Sequence, residues 1–253
     1  MTMAIIYKPK GKAAEYAPWA ANFYNGCSNR CEYCYNRHCQ AKALLGKDEP
    51  TLKKAFKDED QAFEAFRKEL RRKANQIRWD GGLFFNFVSD PCLSETWKLN
   101  LNCIRYAILI GVPCRVLTKR AEAARILDPY NVFLSEDDYD YLKVGFTLTG
   151  RDDLEPGAST NAERIEAMKA LHEKGVSTWA SIEPVIDIMA SAKMIADSVE
   201  WCDEYRIGLL SGKKTYTPAQ IKEWMAATER LVVKTYRRKL IWKDSVLKFV
   251  EKA

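Results

Sequence analysis

Eight residues hold the densest chemistry in the chain: Cys27, Cys31 and Cys34 stand in the spacing Cys-x3-Cys-x2-Cys, directly after Gly26. Thiolates this close reach three corners of an iron–sulfur cube, and a cube held by only three thiolates keeps one iron open to another ligand. A closed zinc site is the alternative, made from the same three thiols with Cys39 or His38. Two features weigh against zinc. Zinc knuckles join separated ligand pairs, whereas all these donors fall within thirteen residues. The segment from Cys31 onward also reads as helical, which makes Cys39 a helix residue rather than a ligand.

Such a loop needs elements to hold it. Along the chain, short β-branched or aromatic runs alternate with longer amphipathic segments. Strands are predicted at 20–25, 83–89, 114–118, 143–149, 177–182 and 205–210. Between them apolar residues recur at steps of three and four, as at Phe63, Phe66, Leu70 and Ile77, or at Trp97, Leu101, Ile104 and Ile108. Gly111 and Gly175 close helices, and Thr217-Pro218 opens one. No Pro/Gly/Ser-rich linker breaks the alternation, so one α/β domain is expected, its parallel strands wrapped by outer helices. In such folds ligands gather at the carboxyl ends of the strands. The residues there are the Cys27 loop, Ser89-Asp90-Pro91-Cys92, Lys119, Thr149-Gly150, Glu183-Pro184 and Ser211-Gly212.

Composition sets the outer bounds. With 253 residues, 47% hydrophobic and 29% charged, the chain has the make-up of a globular protein and not of a disordered or collagenous one. A net charge of +6 tolerates a polyanionic partner without demanding one. The basic cluster from Arg67 to Lys73 and that from Lys234 to Lys243 both sit on helical periodicity, and Glu64/Lys68 and Glu69/Lys73 are spaced as solvated ion pairs. The longest apolar run, 106–113, is far short of the roughly 20 residues of a membrane span. The start lacks the pattern of a secretory leader. A cytoplasmic, reducing location is therefore expected, with the eight cysteines as ligands or core residues before disulfides. Cys103, Cys114 and Cys202 fall at core positions.

The Cys-x3-Cys-x2-Cys loop after the first strand of a repeating strand–helix chain resembles the radical S-adenosylmethionine superfamily. The Cys-x-Tyr-Cys-Tyr pattern at Cys31 to Tyr35, Phe-Val-Ser-Asp-Pro at 87–91, Leu-Thr-Lys at 117–119, Phe-Thr-Leu-Thr at 146–149 and Leu-Glu-Pro-Gly at 154–157 followed by Arg164 narrow that resemblance to the spore photoproduct lyase (DNA repair photolyase)-like branch. The resemblance covers roughly residues 20–185. It implies a partial (βα)6 TIM-like barrel over about 20–212, with 213–253 as a helical extension. It also implies a [4Fe-4S] cluster on Cys27, Cys31 and Cys34, and S-adenosylmethionine on its open iron. One-electron cleavage of that cofactor then gives a 5′-deoxyadenosyl radical that takes hydrogen from a substrate.

The same resemblance implies roles for single residues. Tyr33 packs beside the adenine, Ser89 and Thr147 lie along the cofactor, Lys119 meets its carboxylate, and Ser89 or Asp90 takes over from a Gly-Gly-Glu motif absent here. Glu183 is placed near ribose or substrate. Spore photoproduct lyases carry a hydrogen-donating cysteine where this chain has Phe87, so Cys92 is the substitute thiol to inspect and Tyr35 a radical relay. The implied partners are a low-potential electron donor of flavodoxin or ferredoxin type and a nucleic-acid substrate. Cys-Glu-Tyr-Cys-Tyr-Asn-Arg at 31–37 faintly resembles glycyl-radical activating enzymes, a second enzyme reading. The reading from another class is a non-enzymatic zinc or iron–sulfur module that holds nucleic acid with its basic helices.

Overall fold

Strands of a parallel sheet are covered on both faces, which is why they read as short apolar runs rather than as alternating ones. The structure is a computed structural model describing residues 5–132, 140–212 and 214–251. The first four residues and Lys213, which belong to the readings of the start and of the 213–253 segment, lie outside the described residues. In chain order the strands are β1 (Ile6–Tyr7), β2 (Trp19–Ala21), β3 (Tyr24–Asn25), β4 (Thr51–Leu52), β5 (Leu83–Phe85), β6 (Cys114–Thr118), β7 (Leu142–Thr147), β8 (Ser177–Val185), β9 (Glu204–Leu209) and β10 (Lys239–Trp242). The helices are α1 (Tyr35–His38), α2 (Lys42–Leu45), α3 (Glu59–Trp79), α4 (Trp97–Leu109), α5 (Ala123–Ile126), α6 (Pro129–Val132), α7 (Asn161–His172), α8 (Ile188–Ser198), α9 (Pro218–Glu229) and α10 (Asp244–Val250).

One sheet runs in the order β1-β2-β5-β6-β7-β8-β9-β10, leaving β1 and β10 at opposite edges. Every neighbouring pair is parallel except β1–β2. This is the expected α/β architecture, a curved and incompletely closed sheet. The outer core joins strand residues such as Val116, Val144 and Ile207 to the helix stripes carrying Phe66, Leu70, Ile104, Leu171, Ile195 and Ile221. Helix ends follow local chemistry: Asp58 caps α3, and Thr160 with Glu163 and Thr217 with Gln220 form capping boxes on α7 and α9.

Three boundaries differ from the sequence reading. The first strand breaks in two, with β2 in the main sheet and β3 paired with β4 in a separate ribbon. The strand after α3 stops at Phe85. The 213–253 segment is not wholly helical: after α9 and a π-helical turn (Arg230–Thr235), Arg237 takes a left-handed φ of 55° and the chain returns as β10, a seventh parallel strand. Its lysines hid it. Lys239 reaches Glu204 at 3.1 Å and Lys243 reaches Glu183 at 2.6 Å, so charges that read as part of a helical segment pair with carboxylates of the barrel. Glu69 likewise is buried, accepting the Ile5 N–H at 2.9 Å to hold β1.

The inward face of the sheet has its own cluster, Ala20, Phe84 and Trp179 with Tyr7, Tyr16, Ala17, Phe87 and Leu117. Trp179 fits because a Cβ on Gly145 would lie 2.1 Å from its ring. Arg115 and Arg206 flank that ring at 5.2 and 5.8 Å and share the Glu204 carboxylate at 2.7 Å each. Burial alone would raise the Glu204 pKa, but the bonds and charges of the two arginines win and hold it at about 2. A carboxylate depressed in this way contributes stability above its unfolded pKa, and that contribution fades as pH falls toward about 2. Glu204→Gln is therefore expected to cost about 3 kcal/mol at pH 7. Acid unfolding followed by circular dichroism should show the two proteins converging between roughly pH 4.5 and 2.

Candidate active site

The cysteine loop is positioned where β2 ends. Asn22 turns the chain out of the sheet: its carbonyl accepts from Lys53 Nζ at 2.7 Å, and its Oδ1 accepts from the N–H groups of Phe87 and Val88 at 2.7 and 3.2 Å. After β3, Gly26 takes φ +85°, and a Cβ there would lie 2.4 Å from the Glu49 carbonyl oxygen. Cys27 N–H then donates to Lys47 O at 3.0 Å. The far side of the loop rests on the segment after β7. Glu32 N–H donates to Leu154 O at 3.0 Å, and Gly157 N–H to Asn29 O at 3.1 Å. A Cβ on Gly157 would lie 2.0 Å from the Ser28 carbonyl oxygen, so glycine there lets the two loops touch.

Cys27, Cys31 and Cys34 are free thiols. Burial pushes the Cys27 thiol up to about 12, and the nearby Asp90 charge adds to it. Burial also raises Cys31, where the Lys119 ammonium works in the opposite sense. Thiols held this way stay protonated until a cation is present to take the thiolates. Cys34 stands at the N-cap of α1, and that helix is a single turn, shorter than the sequence suggests. Cys39 bonds to Asn36 O at 3.5 Å, and the His38 ring to Glu32 O at 3.1 Å. Among the described residues no three His, Cys, Asp or Glu side chains converge as ligands of a single ion, and Cys39 and His38 are engaged with backbone carbonyls.

Asp90 ties three elements together. Its Oδ2 accepts from Asn29 Nδ2 at 2.8 Å and Lys119 N–H at 2.7 Å, and its Oδ1 from Thr118 Oγ1 at 2.6 Å and Cys92 N–H at 2.9 Å. With both oxygens taken, Asp90 works by positioning the cysteine loop against the ends of β5 and β6. Ser89 is different: it is 7% exposed, and its Oγ has no partner, nor does Asn29 Oδ1. Lys119 lies 5.6 Å from the Tyr33 ring centroid and 4.0 Å from Glu155 Oε1. Burial would lower its pKa, but Cys31, once ionised, and the Glu155 charge raise it instead, so it remains a cation.

Behind Lys119 lies a fully buried ion pair, Arg164 Nη2 to Glu155 Oε2 at 2.5 Å. Arg164 also donates to Thr147 O at 2.7 Å and to Ser159 O at 2.8 Å, and Tyr33 OH donates to Glu155. Glu155 entered the sequence reading only as part of the Leu-Glu-Pro-Gly motif at 154–157, with no role of its own. The available signal was the capping box at Thr160, which places Arg164 in the first turn of α7 facing β7. For the Asn29 bond no signal existed, because its partner lies 61 residues on.

The structure thus brings Cys27, Cys31, Cys34, Tyr33, Asp90 and Lys119 together, with Ser89 and Thr147 beside them. Tyr35 OH donates to Phe87 O on the inner face. Cys92, the substitute thiol singled out from the sequence, is 2% exposed and packs within the main core cluster. Glu183 stands apart on the far wall, where it accepts from Tyr16 OH and from Lys243 Nζ at 2.6 Å.

The donor chemistry present suits an iron–sulfur cluster and an amino-acid-like cofactor: three free thiols on one loop, Cys31 buried and Cys27 and Cys34 partly so, the partly buried Lys119 ammonium beside them, and unpartnered polar oxygens on Ser89 and Asn29.

No protein-family model matches the chain. An uncharacterized protein of Methanocaldococcus jannaschii is 25% identical over 205 residues, covering 78% of this chain and 72% of that one. Structures of spore photoproduct lyase share the fold. One point mutant aligns with a TM-score of 0.66 and 12% identity over 96% of this chain and 79% of its own. A double mutant solved with S-adenosylmethionine and dinucleoside spore photoproduct aligns with a TM-score of 0.64 and 13% identity over 90% of this chain and 76% of its own. Among the described residues no helix is long and apolar enough to cross a membrane.

Proposed function

We propose that this chain is a radical S-adenosylmethionine enzyme whose Cys27, Cys31 and Cys34 hold a [4Fe-4S] cluster with one open iron. The observation that carries the reading is the loop of three free thiols at the carboxyl end of the sheet, with the Lys119 cation set against Cys31. Bound there, such a cluster and S-adenosylmethionine supply a 5′-deoxyadenosyl radical able to take hydrogen from an unactivated carbon.

The chain's own residues do the rest. Lys119 offers a charge-assisted donor to the cofactor's carboxylate, and Ser89 Oγ, free of internal partners, offers an acceptor to its ammonium. Tyr33, anchored through its hydroxyl on Glu155, presents a ring face to the adenine, with Thr147 along the same path. Asp90 acts as a positioning residue rather than a ligand. Tyr35, bonded to Phe87 O, is read as a radical relay. Glu183 faces the substrate space from the opposite wall. The substrate is read as nucleic-acid-like, in line with the lesion held by the spore photoproduct lyase structure and with the net charge of +6, and a low-potential flavodoxin or ferredoxin type donor supplies the electron.

Metal analysis after anaerobic reconstitution tests the cofactor. A coloured protein carrying about four irons per chain is expected. A colourless protein holding one zinc and no iron sinks the reading.

A further inference from the structure

Seven parallel strands do not close a barrel, and the gap between the β1/β2 edge and β10 is crossed by the segment 8–18. This strap leaves β1 at one edge, reaches the other edge and returns to begin β2. Its far attachment is extensive. Lys12 Nζ donates to Ser211 Oγ at 2.8 Å, Arg206 donates to the carbonyls of Glu15 and Tyr16, and Lys243 pairs with Glu15 at 3.0 Å.

Tyr16 is the part of the strap that enters the barrel. Its ring centroid lies 5.8 Å from that of Phe84, 6.1 Å from Phe87 and 5.9 Å from Trp179, with Lys243 Nζ 4.0 Å over its face. Its hydroxyl bonds to Glu183 and to Ser181 Oγ at 2.8 Å. A ring held on its face, its edge and its hydroxyl is fixed in place and does not swing as a surface tyrosine would.

We propose that the strap is the specificity-determining wall of the barrel and Tyr16 its bolt. It shuts the open side, so a substrate reaches the space facing the three cysteines only from the carboxyl ends of the strands. That route admits a small molecule or a single extruded unit of a polymer, the way enzymes that work on bases draw one out of the stack, and it excludes a duplex laid across the sheet's open edge. The functional consequence rests on the reading of the cysteine loop as the reaction centre.

Phe87→Cys places a reporter thiol beside Tyr16. The anaerobically reconstituted protein is treated with N-ethylmaleimide or with fluorescein maleimide, and labelling at position 87 is followed by peptide mass spectrometry. With Tyr16 intact the bulky reagent should trail the small one by about tenfold or more, because a packed wall passes only small solutes. Adding Tyr16→Ala should close that gap, and Tyr16→Phe, which keeps the ring, should not. Fully buried Cys103 monitors folding: if it is labelled in Tyr16→Ala, Tyr16→Leu takes its place. Equal rates for both reagents with Tyr16 present, or an unchanged ratio once the ring is removed, overturns the proposal. Release of 5′-deoxyadenosine by the unsubstituted protein reports the reaction centre separately, so its absence would refute that reading while the labelling still decides the strap.

Discussion

Cys27→Ala, Cys31→Ala and Cys34→Ala should each reduce reductive cleavage of S-adenosylmethionine by at least about 100-fold, since even outer partners of a metal site are worth 10–100-fold. In the proposed cluster each thiol takes its own corner, and the spare cysteine of the same segment, Cys39, is bonded to Asn36 O at 3.5 Å and cannot take over without refolding α1. Cys103→Ala is the control. That thiol is wholly buried in α4, so its loss should trim stability slightly and leave cleavage unchanged. The measurement is 5′-deoxyadenosine by chromatography, alongside iron content. Retained cleavage in any one of the loop variants would show that its thiol is not a ligand.

Glu155→Gln should cost about 3–5 kcal/mol, because it leaves the Arg164 guanidinium buried without its counter-charge. For a chain of this size that is a fall in melting temperature of roughly 10 °C, read by thermal circular dichroism. Glutamine keeps the shape of the site, so the loss is of charge and not of packing. The damage should extend to the site, since the same carboxylate anchors Tyr33 and faces Lys119 at 4.0 Å: S-adenosylmethionine should bind more weakly to the folded variant. Adding Arg164→Met should restore part of the stability by removing the stranded charge, without restoring the binding. An unchanged melting temperature in Glu155→Gln would mean that the pair contributes nothing net.

The sequence made the fold legible where local pattern and burial agree. The β-branched and aromatic runs predicted at 114–118 and 143–149 became strands at 114–118 and 142–147, close to their expected bounds. It misled where a charged residue is buried by a distant partner. Lys239 and Lys243 belong to a strand and its exit because Glu204 and Glu183 wait for them across the barrel, and periodicity cannot see a partner 35 or 60 residues away. The site divides the same way. Three cysteines in one loop announce themselves by spacing, and Lys119 by standing at a strand end. For Asp90 the sequence shows its place at a strand end, and only the structure shows the four donors on its oxygens. Cys92 gave no sign in the sequence that it would be buried in the core cluster. Tyr16 gave no signal, since a lone tyrosine before a proline-containing turn reads like any other.

The central claim is that three thiols hold a cluster able to cleave a sulfonium cofactor. The most direct test is formation of 5′-deoxyadenosine when the anaerobically reconstituted, reduced protein is given S-adenosylmethionine, with and without ultraviolet-damaged DNA. The account predicts release of 5′-deoxyadenosine and methionine that depends on reductant and on all three cysteines. An iron-loaded, folded protein that leaves S-adenosylmethionine intact under those conditions would contradict it.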